Sequence, residues 1–167
     1  HIILDSGLSL DLAALVGKAY DNFAAIKTDS SREDTVSEVL EFIMQRMRGV
    51  LLERGYSYDL IDAALAVPSN DINDIATRIK ALMDLRQSEV FEDFMVVYNR
   101  CNNLTKKWHD DSINIDVLVD ESEINLNRSF NLIKYDVYRS INTREYLGAC
   151  KMLASLRPEV DYFFNAV

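Results

Sequence analysis

The residues of this 167-residue sequence that could perform catalysis or bind a metal are few. His109, the only internal histidine, lies beside Asp110 and Asp111 in the run KKWHDD. An imidazole next to two carboxylates is a set that can bind a metal ion or take part in catalysis. Neighbouring carboxylates on a loop are usually only solvated, however, and no third and fourth ligand follow at a suitable spacing. We therefore interpret this group as the polar surface end of a helix.

Other catalytic signatures are missing from the sequence. It contains no phosphate-binding glycine loop, no GxSxG turn and no HExxH pair. The acidic run DESE, residues 120–123, is interpreted as the first turn of a helix, where the helix dipole favours carboxylates. The two cysteines, Cys101 and Cys150, lack metal-ligand spacing and are predicted to be reduced, buried thiols of a cytoplasmic protein. We expect no catalytic site and no metal site within this chain.

Charge is distributed unevenly along the sequence. Residues 42–107 carry nine basic and nine acidic side chains, whereas the two flanks carry the other nine basic and 18 acidic ones, which gives the net charge of −9. This balance argues against a broad nucleic-acid-binding surface, and if an anionic partner binds, the neutral centre is its expected place. The acidic flanks are interpreted as solvated helix faces. No apolar run approaches the roughly 18 residues of a membrane span, and no signal peptide is apparent.

The elements that position these residues are predicted to be helices. Glycine and proline are scarce, at 5 and 2 residues, and apolar residues recur at helical spacing. The clearest stripe covers residues 36–51, behind a predicted polar loop at 27–35, and it ends at Gly55 as a C′ glycine would end it. The predicted N-caps of other helices are Ser9, Ser57 or Asp59, Asn70 or Asp71, and Ser88. The segment INIDVLV, residues 113–119, alternates but is interpreted as a loop, because a single strand would have no partner.

These patterns predict the fold class all-α, as a single helical-bundle domain of about six or seven helices over residues 1–167. The chain begins with HIILDSG, without methionine, and stops in the apolar stretch VDYFFNAV, where another helix is expected to start. Both ends are predicted to be truncated, so that the chain would be a fragment of a longer polypeptide. Helical bundles support many activities, and the fold class alone predicts no function.

Four stretches carry a resemblance to a known family. They are FIMQRMRGVLLERGYSYDLIDAAL (42–65), DIATRIKAL (74–82), FMVVYNRCNNL (94–104) and REYLGACKMLASLRPEVDYFFNAV (144–167). In order and spacing they resemble the C-terminal domain of the β subunit of bacterial heterotetrameric (α2β2) glycyl-tRNA synthetase. That domain belongs to the helical anticodon-binding group named for a DALR sequence. Asn99 departs from the lysine that the family often has, which puts a phosphate contact there in doubt, and Asn165 departs from its aspartate.

The resemblance implies a function for the whole enzyme and a narrower one for this chain. The enzyme, a glycine–tRNA ligase, would join glycine to tRNA-Gly in the cytoplasm with ATP and Mg²⁺, in an α2β2 assembly with the α subunit. This chain would bind the anticodon end of the tRNA and carry no catalytic, ATP or glycine site. Neither a membrane nor DNA is expected as a partner.

An anticodon loop is single-stranded, so it is held by cations on its phosphates and by aromatic or guanidinium planes on its bases. The neutral centre offers both kinds of group, and Trp108 at its edge is a further stacking residue. The tRNA-binding candidates that the resemblance implies are Arg46, Arg48, Arg54, Tyr56, Arg78, Lys80, Arg86, Arg100, Asn103, Lys106 and Lys107.

Several of these candidates have an equally ordinary structural interpretation. Arg54, Lys106 and Lys107 stand where a cation complements a helix carboxyl end. Arg100, next to an inward-facing cysteine, could extend along the apolar surface or pair within the chain. We therefore predict a binding patch rather than any single contact.

Tyr56 and Tyr58 are predicted to pack the corner after Gly55 more readily than to stack on a base. A second hypothesis, from another functional class, remains open beside RNA binding. In it the chain is an acidic helical domain for protein interaction or subunit assembly, without direct RNA contact. The acidic flanks and the apolar end would suit that role.

Overall fold

The computed structural model describes residues 2–23, 30–107 and 112–166, and these ranges hold nine α-helices, one 3-10 turn and no strand. The all-α prediction is confirmed. The helices are α1 (Ile2–Ser6), α2 (Leu12–Asp21), α3 (Arg32–Glu53), α4 (Tyr58–Leu65), α5 (Ile72–Arg86), α6 (Phe91–Thr105), α7 (Glu121–Asn142), α8 (Tyr146–Ala154) and α9 (Arg157–Ala166). The predicted six or seven helices were too few, because α1 is too short to reveal a helical period and α9 already begins at Arg157.

The chain forms two compact units, His1–Lys80 and Ala81–Val167, and the division falls within α5. In the described part of each unit, every element of regular secondary structure is a helix. That both belong to one anticodon-binding domain of the DALR type stays a prediction.

The first unit is built on the long helix α3. Ser31 caps this helix by accepting from Asp34 N at 3.1 Å, so the helix starts at Arg32 rather than after the predicted loop at 27–35. Its apolar stripe buries Met47 and Leu51, as the periodicity predicts, and α2 and α4 pack against it. The other buried apolar side chains of this unit are Leu12, Ile61, Ala64, Ile72, Ile75 and Ile79.

Gly55 ends α3 as predicted. Its φ of 89° lies in the left-handed region, where a glycine has no Cβ to clash. Tyr56 N donates to Leu51 O at 3.2 Å and Gly55 N donates to Leu52 O at 2.9 Å, the two bonds of a Schellman cap. The chain then turns directly into α4, whose N-cap residue Ser57 makes no side-chain capping bond.

The second unit packs α6, α7, α8 and α9 against one another. Val97, Leu156 and Val160 form its buried core. The partly buried side chains around that core come mainly from α7, and they are Leu126, Phe130, Ile133, Leu153 and Phe164. All four helices therefore contribute to one apolar cluster, which the separate stripes in the sequence could not reveal.

The predicted N-caps had mixed outcomes. Asp71 caps α5 by accepting from Asn73 N at 2.9 Å, and Asp120 with Glu123 forms a capping box at α7, as the acidic first turn indicates. Ser9 was a wrong prediction, since Asp11 caps α2 and Ser9 donates to the Asp71 carboxylate instead. Ser88 was also wrong, because its hydroxyl donates back to Leu85 O at 2.7 Å and α6 begins only at Phe91.

The alternating segment at 113–119 is a loop with a single 3-10 turn, Ile115–Val117, which confirms its interpretation. Asn114 closes the turn by accepting from Asp116 N at 3.1 Å. Its apolar side chains Ile113, Ile115, Val117 and Val119 are all exposed.

Candidate nucleic-acid interface

The first-unit candidates on α3 differ in their partners. Arg46 is exposed and borders a small apolar groove of about 170 Å³, and among the described residues no carboxylate lies within 4.0 Å of its guanidinium. Arg48, two residues further on, pairs with Asp62 of α4. Two arginines of the same helix therefore differ in availability, because only one of them has an acidic neighbour in the described part of the chain.

The corner between α3 and α4 holds two further candidates. Arg54, at the C-cap of α3, pairs with Asp5 at the end of α1. Tyr56 is half-buried beside it, which agrees with a packing role. Tyr58 is 66% exposed, so the prediction that it packs the corner was wrong. The register of α4 points this ring outwards while Ile61 and Ala64 point inwards.

On α5, Arg78 is held by its own unit. Its guanidinium contacts the Asp74 carboxylate at 2.7 Å, and it donates to Val67 O at 2.7 Å. The side chains of Arg78 and Asp74 are only 20% and 7% exposed. Lys80, one half-turn later, is exposed, and within the described ranges no acidic oxygen is within 4.0 Å of its ammonium group.

The second-unit candidate Arg100 pairs internally, as its inward position suggested. It lies 3.2 Å from Asp161 of α9, and its guanidinium carbon stands 5.5 Å from the centroid of the Phe164 ring. Asp161 also contacts Arg157 at 3.5 Å, and the hydrogen bond from Arg157 to Asp93 raises the pKa of that guanidinium. This network links α6 to α9.

The candidates at the end of α6 lie at the surface. Asn103, Lys106 and Lys107 are all exposed, and Lys106 Nζ donates to Asn103 Oδ1 at 2.9 Å. Lys106 is the C-cap residue of α6, which fits the interpretation that it complements the helix carboxyl end. Arg86, at the last turn of α5, is exposed as well.

The candidates thus separate into two groups. Four arginines, Arg48, Arg54, Arg78 and Arg100, have a carboxylate partner within their own unit. Among the other cations, Arg46, Lys80, Lys106 and Lys107 are exposed, and Arg86 is exposed but interacts with another group. Reversing the charge of Arg78 or Arg100 would therefore break an ion pair and destabilise the fold. A loss of RNA binding in such a variant would not show that the arginine contacts RNA. That any of the candidates contacts tRNA stays a prediction.

The sequence also suggested possible sites at the run KKWHDD and at the two cysteines. Trp108, His109, Asp110 and Asp111 lie outside the described residues. In the ranges that are described, no three His, Cys, Asp or Glu side chains are grouped to hold a metal ion, and no helix is long and apolar enough to cross a membrane. Both cysteines are free thiols whose pKa is raised by partial burial. Cys101 is nevertheless exposed overall, so its predicted burial was wrong.

Comparison with known proteins identifies the family. A family model described as glycyl-tRNA synthetase beta subunit matches residues 1–66. The glycine–tRNA ligase beta subunit of Syntrophomonas wolfei is 48% identical over 167 residues, which is 100% of this chain. The beta subunits of Trichlorobacter lovleyi and Clostridioides difficile are 35% and 28% identical over 166 residues, 99% of this chain. The chain belongs to the glycyl-tRNA synthetase β-subunit family. The family that the four sequence stretches indicate is confirmed, and the correspondence to the C-terminal domain of the subunit stays a prediction.

This β-subunit chain spans 24% of the length of each of these three relatives. The similarity covers both compact units rather than one of them, because the matched range runs over 99–100% of the chain.

Sequence reasoning missed an apolar cavity in the second unit of this β-subunit chain. It has a volume of about 770 Å³, and its walls come mainly from α6, α7, α9 and the loop at 113–118. Glu123, Asn102 and Asn127 are among the few polar side chains that line it. Apolar residues at helical spacing look alike in sequence whether they fill a core or surround a cavity, so no local pattern could have indicated it.

Sequence reasoning also missed the outer face of α7. Arg128, Leu132, Tyr135 and Arg139 are exposed and recur at spacings of four, three and four residues, so they share one side of the helix. This second stripe, opposite the inward one, was visible in the sequence of this family member. The flank that contains α7 is acidic overall, so its net charge gave no indication of this stripe.

Proposed function

We propose that this chain is the anticodon-binding part of a glycine–tRNA ligase β subunit, corresponding to the C-terminal domain of that subunit. The observation that supports the proposal is the similarity to glycine–tRNA ligase β subunits along 99–100% of the chain. The exposed cations at the ends of α5 and α6 suit it chemically, because arginine and lysine bind phosphates without reading sequence.

The whole enzyme is proposed to join glycine to tRNA-Gly in the cytoplasm, for translation. The α subunit, in an α2β2 assembly, would be the protein partner, and ATP with Mg²⁺ would activate glycine on other parts of the enzyme. The described residues do not fit a metal site, and we assign no step through ATP or Mg²⁺ to them.

The acidity of the chain limits how the RNA can bind. With a net charge of −9, the average field of the chain repels a phosphate backbone. Binding would therefore depend on exposed cations, such as Lys107 and Lys80, and on contacts with unpaired bases. Such binding is expected to weaken steeply as salt is added, because each phosphate contact releases a counterion.

A titration of the chain against transcribed tRNA-Gly tests the proposal. We expect binding at roughly 50 mM salt that weakens at roughly 200 mM, since counterion release drives phosphate contacts. A tRNA-Gly with altered anticodon bases should bind less tightly than the unaltered one. Equal affinity for any tRNA, or no binding at low salt, would contradict specific anticodon recognition by this chain.

Subunit assembly without RNA contact is the second candidate function, and the apolar cavity of the second unit favours it. A cavity of about 770 Å³ with almost entirely apolar walls is suited to receiving apolar side chains of another protein surface. Sedimentation of the chain mixed with the α subunit provides the test. A complex with α, combined with no affinity for tRNA-Gly, would favour assembly over anticodon binding.

A further inference from the structure

The outer face of α7 combines exposed apolar and aromatic side chains with two arginines. We define it as Arg128, Leu132, Tyr135, Tyr138 and Arg139. Leu132, Tyr135 and Tyr138 are 76%, 82% and 54% exposed, and the side chains of both arginines are exposed as well. A surface helix normally presents charged and small polar side chains to water, so three large apolar or aromatic residues in this position require an explanation.

These residues are not a displaced part of the core. The inward stripe of α7 is Leu126, Phe130, Ile133 and Val137, which pack in the second unit. The positions 128, 132, 135 and 139 repeat the same spacing two residues later, which is about 200° around the helix. The outer face therefore lies opposite the packed one, and no rotation of α7 could bury both.

The outer face of α7 carries two arginines in a helix that is neutral overall. Helix α7 contains three basic and three acidic side chains, and two of the acidic ones, Glu121 and Glu123, lie in its first turn. The third, Asp136, pairs with Arg139 at 2.9 Å, and both side chains are more than half exposed. An exposed pair of this kind is weak, so a phosphate can compete for the arginine. No acidic oxygen in the described ranges lies within 4.0 Å of Arg128.

We propose that the outer face of α7 is a base-stacking surface for single-stranded RNA. The ring of Tyr135, with Tyr138 beside it, stacks on unpaired bases, Leu132 forms the apolar floor, and Arg128 and Arg139 hold the phosphates on either side. This assignment rests on the proposed function, because the RNA that the chain is proposed to bind is an anticodon loop. It adds to that function a site outside the neutral centre, residues 42–107.

The dimensions of the face suit a short single strand. Arg128 and Arg139 are eleven residues apart, about 16 Å along the helix axis. Stacked nucleotides rise about 3.4 Å each, so the two arginines span about five nucleotides. Tyr135 and Tyr138 are three residues apart, about 4.5 Å along the axis, which is about 1 Å more than the step between stacked bases. Aromatic platforms with flanking cations are a common way to hold single strands.

Fluorescence titration of the full chain with an anticodon stem-loop RNA tests the assignment. The RNA carries 2-aminopurine at one loop position, and its emission falls when the base stacks on a ring. Tyr135→Ala should weaken binding about tenfold and remove the quenching, the size expected for one stacked base. Tyr135→Phe should retain both, because the ring is kept.

Two controls separate stacking from other effects. Tyr162→Ala removes an exposed tyrosine from α9 in the same unit and should leave affinity and quenching unchanged. Tyr135→Leu keeps an apolar side chain without a ring and should behave like Tyr135→Ala. Circular dichroism should be the same for all variants, since each replaces an exposed helical side chain.

The outcomes are distinguishable. If the wild-type chain binds the stem-loop and Tyr135→Ala binds it equally well, the stacking assignment is wrong and the proposed function stands. If Tyr135→Leu retains wild-type affinity while Tyr135→Ala loses it, the face is an apolar contact surface, and the stacking assignment is again overturned. If the wild-type chain does not bind the stem-loop, both the proposed function and this assignment fail.

Discussion

At the residue scale, the partner of a charged side chain decides what the charge can do. Arg78 contacts the largely buried Asp74 and donates to Val67 O, so its guanidinium joins α5 to the segment before it. Lys80 on the same helix is exposed. The sequence presents both as basic residues of DIATRIKAL, and only their surroundings separate a structural cation from an available one.

We expect Arg78→Met to lower the free energy of unfolding by about 2 kcal/mol, because it removes a charged donor from Asp74 and from Val67 O. Urea denaturation followed by circular dichroism measures the change. Lys80→Met is the matched control and should change stability by no more than about 0.5 kcal/mol. Equal losses in the two variants would contradict the structural role of Arg78.

Asp120 provides a prediction about acid stability. Hydrogen bonds from the hydroxyl and then the backbone N–H of Ser122 lower the pKa of Asp120. Because the folded pKa is below the unfolded value of about 3.9, the stabilisation is present above that value and is lost as pH falls through the folded pKa. The wild type should therefore lose thermal stability on acidification more steeply than Asp120→Asn, which keeps a capping side chain but cannot ionise.

Thermal unfolding of the two proteins at about pH 6 and about pH 3 tests this expectation, since the window brackets the unfolded pKa. The difference in Tm between wild type and Asp120→Asn should be smaller at the lower pH. A difference that stays constant would mean that the charge of Asp120 contributes nothing to the cap.

At the element scale, the position of a residue within a helix or at its end determines how a substitution there changes stability. Gly49 and Gly55 both belong to the α3 region, and neither would bring an added Cβ within 4 Å of another atom. Gly49 lies inside the helix, whereas Gly55 has a φ of 89° at the C′ position. Their different conformations, and not their surroundings, should determine the effect of a methyl group.

We expect Gly55→Ala to destabilise the protein by about 1 kcal/mol, because an alanine in the left-handed region strains the backbone. Gly49→Ala should instead stabilise it by about 0.5 to 1 kcal/mol, since alanine is the better helix former. Chemical denaturation of the two variants compares these values. Stabilisation by both substitutions would show that α3 can end without a left-handed residue.

At the scale of the whole molecule, net charge conceals local charge. The chain is acidic overall, yet residues 42–107 are neutral, and the exposed Arg128 and Arg139 lie on the outer face of α7. Long-range attraction of RNA by the average field is therefore not expected, and short-range contacts must provide affinity. Exposed lysines at the end of α6 are the simplest of these contacts to test.

The double variant Lys106→Gln, Lys107→Gln should reduce the slope of log affinity for tRNA-Gly against log salt by about two, because each lysine would neutralise one phosphate. Titrations at several salt concentrations measure the slope. Lys18→Gln, which removes an exposed cation from the acidic flank, is the control and should leave it unchanged. An unchanged slope in the double variant would exclude both lysines from the interface.

Local patterns were sufficient for several features. The position of Gly55, the stripe that buries Met47 and Leu51, and the cap at Asp120 follow from chemistry within a few residues. The predicted caps at Ser9 and Ser88 were wrong because each hydroxyl donates to another acceptor. Ser9 donates to Asp71, 62 residues away, and Ser88 donates to a carbonyl of the preceding helix.

By itself, the sequence determined the all-helical class and the family, because both depend on residue order and spacing along the chain. The tertiary structure alone decided which arginines are paired, where the apolar cavity lies and that the outer face of α7 is exposed. Ion pairs such as Arg100 with Asp161 join residues 61 positions apart, and exposure depends on which helix faces meet. Neither property is encoded in the local periodicity of any one helix, since a stripe of residues does not specify its neighbour.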